Sequence, residues 1–317
     1  MRVHRHSWLG LGLVLALSLV AHAQSNKSAN EAVINLDTHV VSLTVTVTDK
    51  RGRHLGGLEQ GAFSVYEDQV AQELSFFNQA DAPASITIVF DLSGSMREDK
   101  ITRARAALER FLANCHPDDE YTLIGFNQQA WIAQERTRDS QQLLRQFSGA
   151  KPDGNTALYD ALALGLAQLA HGAHARRVLL VISDGEDNHS RTTFRQIKRQ
   201  AQESSALIYA IGISDWMVRQ HTGEIVLEEL AAETGGKAFF PRNTEAMSEA
   251  FEAIALELRQ QYSLGYTPSS FVPDNKWRKL KVKVTPPADT SGIVVRARVG
   301  YYANPKHGTG EVAETAR

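Results

Sequence analysis

The chain has 317 residues, 34 basic and 36 acidic side chains and a formal net charge of −2, with hydrophobic and charged fractions of 43% and 22%. Such values belong to an ordinary globular protein of one large or two smaller domains, and the near-neutral balance argues against nucleic acid, which would need a basic face. Cys115 is the only cysteine, so no intrachain disulfide can form and the core, with or without a metal, must hold the fold.

At the N-terminus, Arg2 and Arg5 precede an apolar run from Trp8 to Val20, followed by the small-x-small triplet Ala21-His22-Ala23. Residues 1–23 therefore read as a secretory signal peptide, with an uncleaved N-terminal anchor as the alternative. The run is short for a membrane span and no stop-transfer pattern follows. The expectation is an exported protein, periplasmic or secreted, with no transmembrane segment after cleavage.

Residues 24–83 read as an N-terminal β segment. Val41-Ser42-Leu43-Thr44-Val45-Thr46-Val47 keeps apolar groups at odd positions, Asp49-Lys50-Arg51-Gly52 signals a turn, and Phe63, Val65, Leu74 and Phe76 mark further short strands. From residue 84 to 262, strands and helices alternate. Compact apolar runs at 86–90, 121–126, 178–182 and 206–211 have the character of buried strands, and 131–133 and 238–240 that of short ones. Ile101, Ala104, Leu108, Phe111 and Leu112 share one helical face, as do Leu158, Leu162, Leu166 and Leu169. Further helices are expected over 192–203, 226–233 and 244–261, the last capped by Asn243 or Thr244. Repeated units of this kind define an α/β fold, a doubly wound and mostly parallel sheet with helices on both faces.

Residues 263–303 return to strands. Leu280, Val282 and Val284 alternate with lysines, and a second run covers 293–299 after a Pro286-Pro287 turn; residues 304–317 are small and polar and read as a disordered tail. Neither β flank has enough strands for a robust core. The two are expected to pair as one small β domain, with the α/β domain inserted between them.

The chemistry gathers at strand ends. Asp91-Leu92-Ser93-Gly94-Ser95 follows the run Ile86–Phe90, so one carboxylate and two hydroxyls sit on a strand-to-helix turn, where open α/β sheets bind ligands. Gly154-Asn155-Thr156 adds a hydroxyl just ahead of a helix, and Val181-Ile182-Ser183-Asp184-Gly185 ends a buried strand with a carboxylate. Oxygen-only donors suit a hard divalent cation, Mg²⁺ before Zn²⁺. Taken singly, Asp-x-Ser-x-Ser reads as a turn or helix cap, Thr156 as a helix cap and Asp184 as the close of a strand.

Together, Asp91, Ser93, Ser95, Thr156 and Asp184 resemble the metal-ion-dependent adhesion site of von Willebrand factor type A domains, over about residues 84–262. The flanks are similar to a bacterial branch of that family, the VWFA-related proteins abundant in Acidobacteria, through Gln261-Tyr262-Ser263-Leu264-Gly265-Tyr266 and a closing Gly300-Tyr301-Tyr302. The resemblance implies Mg²⁺, with Mn²⁺ or Ca²⁺ as alternatives, ligated by the two serines and in one state by the threonine. The aspartates would act largely through water. It implies an adhesion-type module that binds a protein ligand presenting Asp or Glu, whose carboxylate completes the metal's octahedron. In animal relatives, ligand engagement is coupled to movement of the last helix.

Other residues carry weaker signals. Asp99, Glu186 and Asp187 form either a solvated acidic rim or a second cation site. His171 and His174 lack an evident third zinc ligand, and Cys115 reads as a partly buried, inert thiol. Arg191, Arg195, Lys198 and Arg199 suit a wet helix face. Trp216, in Asp215-Trp216-Met217, is either a partner contact or a loop anchor. No zinc-protease helix, nucleophile elbow or phosphate loop is present, so an enzyme is not expected. A metal-assisted hydrolase, or an envelope scaffold with a vestigial site, are the alternatives.

Overall fold

The computed structural model describes residues 39–147, 151–213, 222–286 and 292–304. Residues 1–23, expected as a signal peptide, Trp216 and residues 305–317 of the expected tail lie outside the described residues. In chain order the strands and helices are β1 (Val41–Asp49), β2 (Phe63–Glu67), β3 (Val70–Gln72), β4 (Leu74–Asn78), β5 (Ala84–Asp91), α1 (Glu98–Asn114), β6 (Glu120–Phe126), β7 (Ala130–Thr137), α2 (Ser140–Arg145), α3 (Leu158–Leu169), β8 (Arg176–Ser183), α4 (Phe194–Glu203), β9 (Leu207–Gly212), α5 (Thr222–Thr234), β10 (Lys237–Phe239), α6 (Thr244–Arg259), β11 (Tyr262–Tyr266), β12 (Trp277–Val284), β13 (Ile293–Arg296) and β14 (Gly300–Tyr302).

A strand covered on both faces has no use for alternation, and the continuous runs behave accordingly: every residue of β5, β6 and β9 is buried. They belong to a six-stranded sheet of order β10-β9-β8-β5-β6-β7, parallel except for the edge strand β7. Helices α1, α2 and α6 cover one face, through Ile101, Leu108, Phe111, Leu143, Phe251 and Ile254. Helices α3, α4 and α5 cover the other, through Leu158, Leu162, Ile197 and Leu227. The doubly wound α/β fold is thus present, with the chain reversing its winding beside β5. Asn243 caps α6, its side chain accepting from Ala246 N at 2.7 Å.

Strands from both flanks pair with one another. One four-stranded sheet runs β13-β1-β11-β4 and another β14-β12-β2-β3, and the two share a core of Leu43, Val45, Phe63, Tyr262, Leu264 and Leu280. The run expected as one strand over 293–299 is a strand only as far as Arg296, and the next strand begins at Gly300. β13 pairs with β1 and β14 with β12, because the chain passes between sheets where Val299 N reaches the Glu233 carbonyl. The tyrosines near the C-terminal motifs serve this packing. Tyr266 and Tyr301 both donate to the Glu67 carboxylate, at 2.5 and 2.9 Å, and Tyr262 Oη donates to the Leu55 carbonyl.

The flanking sheets are tied to α6 by buried polar contacts. Glu257, only 3% exposed, accepts from Tyr209 Oη of β9 at 2.6 Å, Thr46 Oγ1 of β1 at 3.1 Å and the Arg296 guanidinium of β13 at 2.6 Å. Arg176, at the start of β8, donates to the Ala82 and Leu258 carbonyls, joining the entry to β5 with the last turn of α6. Among the described residues no helix is long and apolar enough to cross a membrane.

Removing one member of a buried ion pair strands the other charge. Glu257→Ala is expected to destabilise the protein by on the order of 3 kcal/mol in urea unfolding. A loss under about 1 kcal/mol, the size of an exposed pair, would contradict the account.

Candidate functional site

β5 and β8 are parallel neighbours, so their carboxyl ends open on the same crevice. β5 delivers Asp91, which is fully buried. Its Oδ1 accepts from Ser93 N at 2.8 Å and its Oδ2 from Ser183 Oγ, the last residue of β8, at 2.6 Å. Ser183 Oγ in turn accepts from Gly185 N at 3.0 Å. The carboxylate therefore fixes both its own turn and the β8 exit.

Beyond Asp91 the chain makes one tight turn over Gly94–Met96 before α1, and the buried Met96 side chain anchors it. Ser93 Oγ and Ser95 Oγ stand 3.1 Å apart, the first buried and the second exposed. Lys100, in the first turn of α1 and 3% exposed, donates to the Ser95 carbonyl at 3.1 Å.

Thr156 arrives on the loop ahead of α3. Asp153 N donates to the Leu92 carbonyl at 3.0 Å and Gly94 N to the Gly154 carbonyl at 3.1 Å, so this loop is bonded to the serine turn. Thr156 N donates to Asn188 Oδ1 at 2.9 Å, while its carbonyl accepts from Asn188 N and His189 N, each at 3.0 Å. The Thr156 hydroxyl has no hydrogen-bond partner among the described residues, although the residue is only 4% exposed. Asp184, half-buried, follows β8 directly; Oδ1 accepts from Glu186 N at 3.2 Å and Oδ2 has no partner among the described residues. The next residue must be glycine: Gly185 has φ +84°, and a Cβ there would lie 2.3 Å from the Gly223 carbonyl oxygen on α5.

The five expected residues thus sit on three adjoining loops: Asp91, Ser93 and Ser95 on one, Thr156 on a second bonded to it, and Asp184 one residue beyond the Ser183 that holds Asp91. Burial pushes the Asp91 carboxyl up to about 6; the Ser183 and Ser93 hydrogen bonds pull it down, and the charge of Asp184 pushes it further up. Two carboxylates in mutual range, two hydroxyls 3.1 Å apart and an unpartnered hydroxyl form an oxygen-only set that fits a hard divalent cation.

The roles of several supporting residues escaped sequence reasoning. Asp187 accepts from Ser190 Oγ and Tyr159 N, and the Asp160 carboxylate from Arg191 N and Thr192 N, clasping the 187–192 loop over the start of α3. The imidazole of His189 lies at this rim, its Nδ1 3.4 Å from Asn155 Nδ2. Only the Asp and Ser content of the loop hinted at the clasp. Of the acidic rim, Asp187 is thus engaged in the clasp, Asp99 pairs with Arg103 at 2.8 Å, and Glu186 is exposed. His174 Nε2 contacts the Asp118 carbonyl at 3.1 Å, while His171 contributes its own carbonyl to Arg136. Lys198 pairs with Glu229 and Glu233, and Arg199 with Glu203, each at 2.7 Å. Burial raises the Cys115 thiol well above its ordinary range.

The von Willebrand factor type A domain model matches residues 85–253, more than half of the chain, and the chain belongs to that family. It is 24% identical over 189 residues to an uncharacterized protein of Synechocystis, covering 58% of this chain and 43% of that one. It is 28% identical over 142 residues to inter-alpha-trypsin inhibitor heavy chain H1 of Mesocricetus auratus, covering 40% of this chain and 15% of that one. The chain covers less than half the length of these curated relatives. Among solved structures, a von Willebrand factor type A protein from Catenulispora acidiphila aligns with 86% of this chain and 76% of its own, at 12% identity and a TM-score of 0.48. The vWF domain of the pilus tip protein Mfa5 from Porphyromonas gingivalis covers 56% and 95%, at 13% identity and a TM-score of 0.47.

Because the folded-state value of Asp91 lies above its ordinary 3.8, its neutral form stabilises the metal-free fold below about pH 4, and that contribution is lost as the pH rises through about 6. In chelator, Asp91→Asn is therefore expected to be more stable than the parent at pH 7, by on the order of 2 kcal/mol, and to lose that advantage near pH 4. Parallel stability-versus-pH curves for the two proteins would contradict this.

Proposed function

We propose that the protein is an exported, metal-dependent protein-binding module of adhesion type. Mg²⁺, or Mn²⁺ or Ca²⁺ in its place, is held by Ser93, Ser95 and Thr156, with Asp91 and Asp184 behind them, and a partner's Asp or Glu carboxylate closes the coordination shell. The observation that carries this reading is the pair of hydroxyls 3.1 Å apart, one exposed, standing in front of a fully buried carboxylate. Neutral hydroxyl donors leave a bound cation's charge largely uncancelled, which favours an external anion. Asp91 orients Ser93 through its backbone N–H, and Asn188 orients Thr156 in the same way. When bound, the metal supplies an electrophilic position that an incoming carboxylate can fill.

Export rests on the Arg2–Ala23 pattern, and membership of the bacterial VWFA-related branch on Gln261–Tyr266 with Gly300-Tyr301-Tyr302. Sequence regions similar to this chain occur in inter-alpha-trypsin inhibitor heavy chains, a setting compatible with a binding role.

Binding to the metal should stabilise the fold by about 2.7 kcal/mol at a hundredfold excess over Kd. Thermal unfolding of the full chain in Mg²⁺ against EDTA should show such a shift in the parent and none in Ser93→Ala or Asp91→Ala. A pull-down from the source organism's envelope fraction should recover a partner in Mg²⁺ and lose it in EDTA. Metal-indifferent partner binding would favour a scaffold with a vestigial site. Turnover of phosphate esters or peptides, abolished in Asp91→Ala, would favour a hydrolase.

A further inference from the structure

Beside the candidate site a second feature opens at the same end of the sheet. A cavity of about 320 Å³ lies between α2 and the upper part of β5, β6 and β7, with Phe90, Leu92, Leu123, Trp131, Phe147 and Lys151 on its walls. That volume falls in the range of small-ligand pockets and can take one large side chain. Its floor is fixed: Phe90 and Phe147 are buried and meet edge to face, with ring centroids 4.6 Å apart.

One wall is the Trp131 indole, 40% exposed on the edge strand β7. It lies over Gly125 of β6, where an added Cβ would come within 2.7 Å of the ring. The missing side chain lets the indole lie against the sheet, one face packed and one free. Its Nε1–H has no acceptor among the described residues. Lys151 is exposed and has no ion-pair partner among the described residues, so the cavity carries an unpaired cation beside an apolar interior.

The cavity is continuous with the cation site through a single residue. Leu92 lines the cavity and is covalently flanked by Asp91 and Ser93, and its carbonyl accepts from Asp153 N on the Thr156 loop. A chain whose carboxylate sits over Ser93 and Ser95 can therefore place a neighbouring side chain across Leu92.

We propose that this cavity is a specificity pocket for an acidic peptide segment of a protein partner. It takes an aromatic or large aliphatic side chain close in sequence to the metal-binding Asp or Glu, while Lys151 faces further acidic groups on the same segment. The inference rests on the metal-bridged reading above and adds the second half of the recognition code. Charge complementarity at Lys151 and continuity with the cation site select this occupant.

The test uses the full chain and synthetic hexapeptides carrying one Asp, with Trp, Phe, Leu or Ala placed one to three residues to either side, in Mg²⁺ and in EDTA. At one spacing the aromatic peptides should bind about tenfold more tightly than the alanine peptides, as expected from sheltering one ring less the cost of ordering it. Trp131→Ala should erase that preference while leaving the Mg²⁺-dependent binding of the alanine peptide in place. For the best-binding peptide remade with a second Asp, Lys151→Glu, an exposed change with no packing to lose, should weaken binding several-fold at low salt. Mg²⁺-dependent binding with no side-chain preference overturns the pocket and leaves the metal reading standing. No Mg²⁺-dependent binding of any peptide overturns both. A concentration-dependent dimer that Trp131→Ala disperses would assign the cavity to a second copy and also overturn the proposal.

Discussion

The carboxylate of Asp91 is shut off from water at the end of the central strand, and the loops around it act as its replacement solvent. Ser93 N and Ser183 Oγ supply the hydrogen bonds that water would otherwise give. These two bonds do more than satisfy a charge. One sets the turn that carries Ser93 and Ser95, and the other locks the exit of β8, after which Asp184 comes next. Replacing water by fixed dipoles is incomplete, which is why burial still pushes the Asp91 proton affinity upward. The remaining imbalance is negative, and a cation relieves it most directly.

A second buried carboxylate performs the corresponding job at the other structural junction. Glu257 joins α6, β9, β1 and β13 through three donors, while Arg176 draws the end of α6 and the entry to β5 together through backbone carbonyls. Arg259 adds a two-pronged pair to Asp81 at 2.6 and 2.9 Å. The last helix of the α/β layer is thereby held at its C-terminal turn by groups from both the central sheet and the flanking strands. Displacing the last turn of α6 from these strands would break the buried, charge-assisted hydrogen bonds at Glu257, which cost far more than exposed ones.

Much of this was legible in the sequence, and the reason is periodicity. The runs at 86–90, 121–126, 178–182 and 206–211 are continuous because β5, β6, β8 and β9 are covered on both faces, and the helical stripes at 101–112 and 158–169 mark the faces of α1 and α3 that meet the sheet. Asp91, Ser93 and Ser95 were readable because local spacing and position after a strand carry their meaning. The roles of Asn188, Ser183 and Asp187 were not, since they come from hydrogen bonds to strand ends and loops far away in the chain, and no period records such pairings. Trp131 was readable as a strand residue only. Its place over Gly125 depends on register across β6 and β7, which shifts twice within that pair. The six-residue α2 and three-residue β3 are too short to impose a pattern.

The central claim is that Asp91, Ser93, Ser95, Thr156 and Asp184 converge on one divalent cation. Anomalous diffraction from crystals of the full chain grown with Mn²⁺ tests it most directly. The account predicts one strong peak at about 2.1–2.3 Å from Ser93 Oγ and Ser95 Oγ, with Asp91 and Asp184 behind it. A well-ordered map with no peak at this strand-end crevice, or with the peak at another set of side chains, would contradict it.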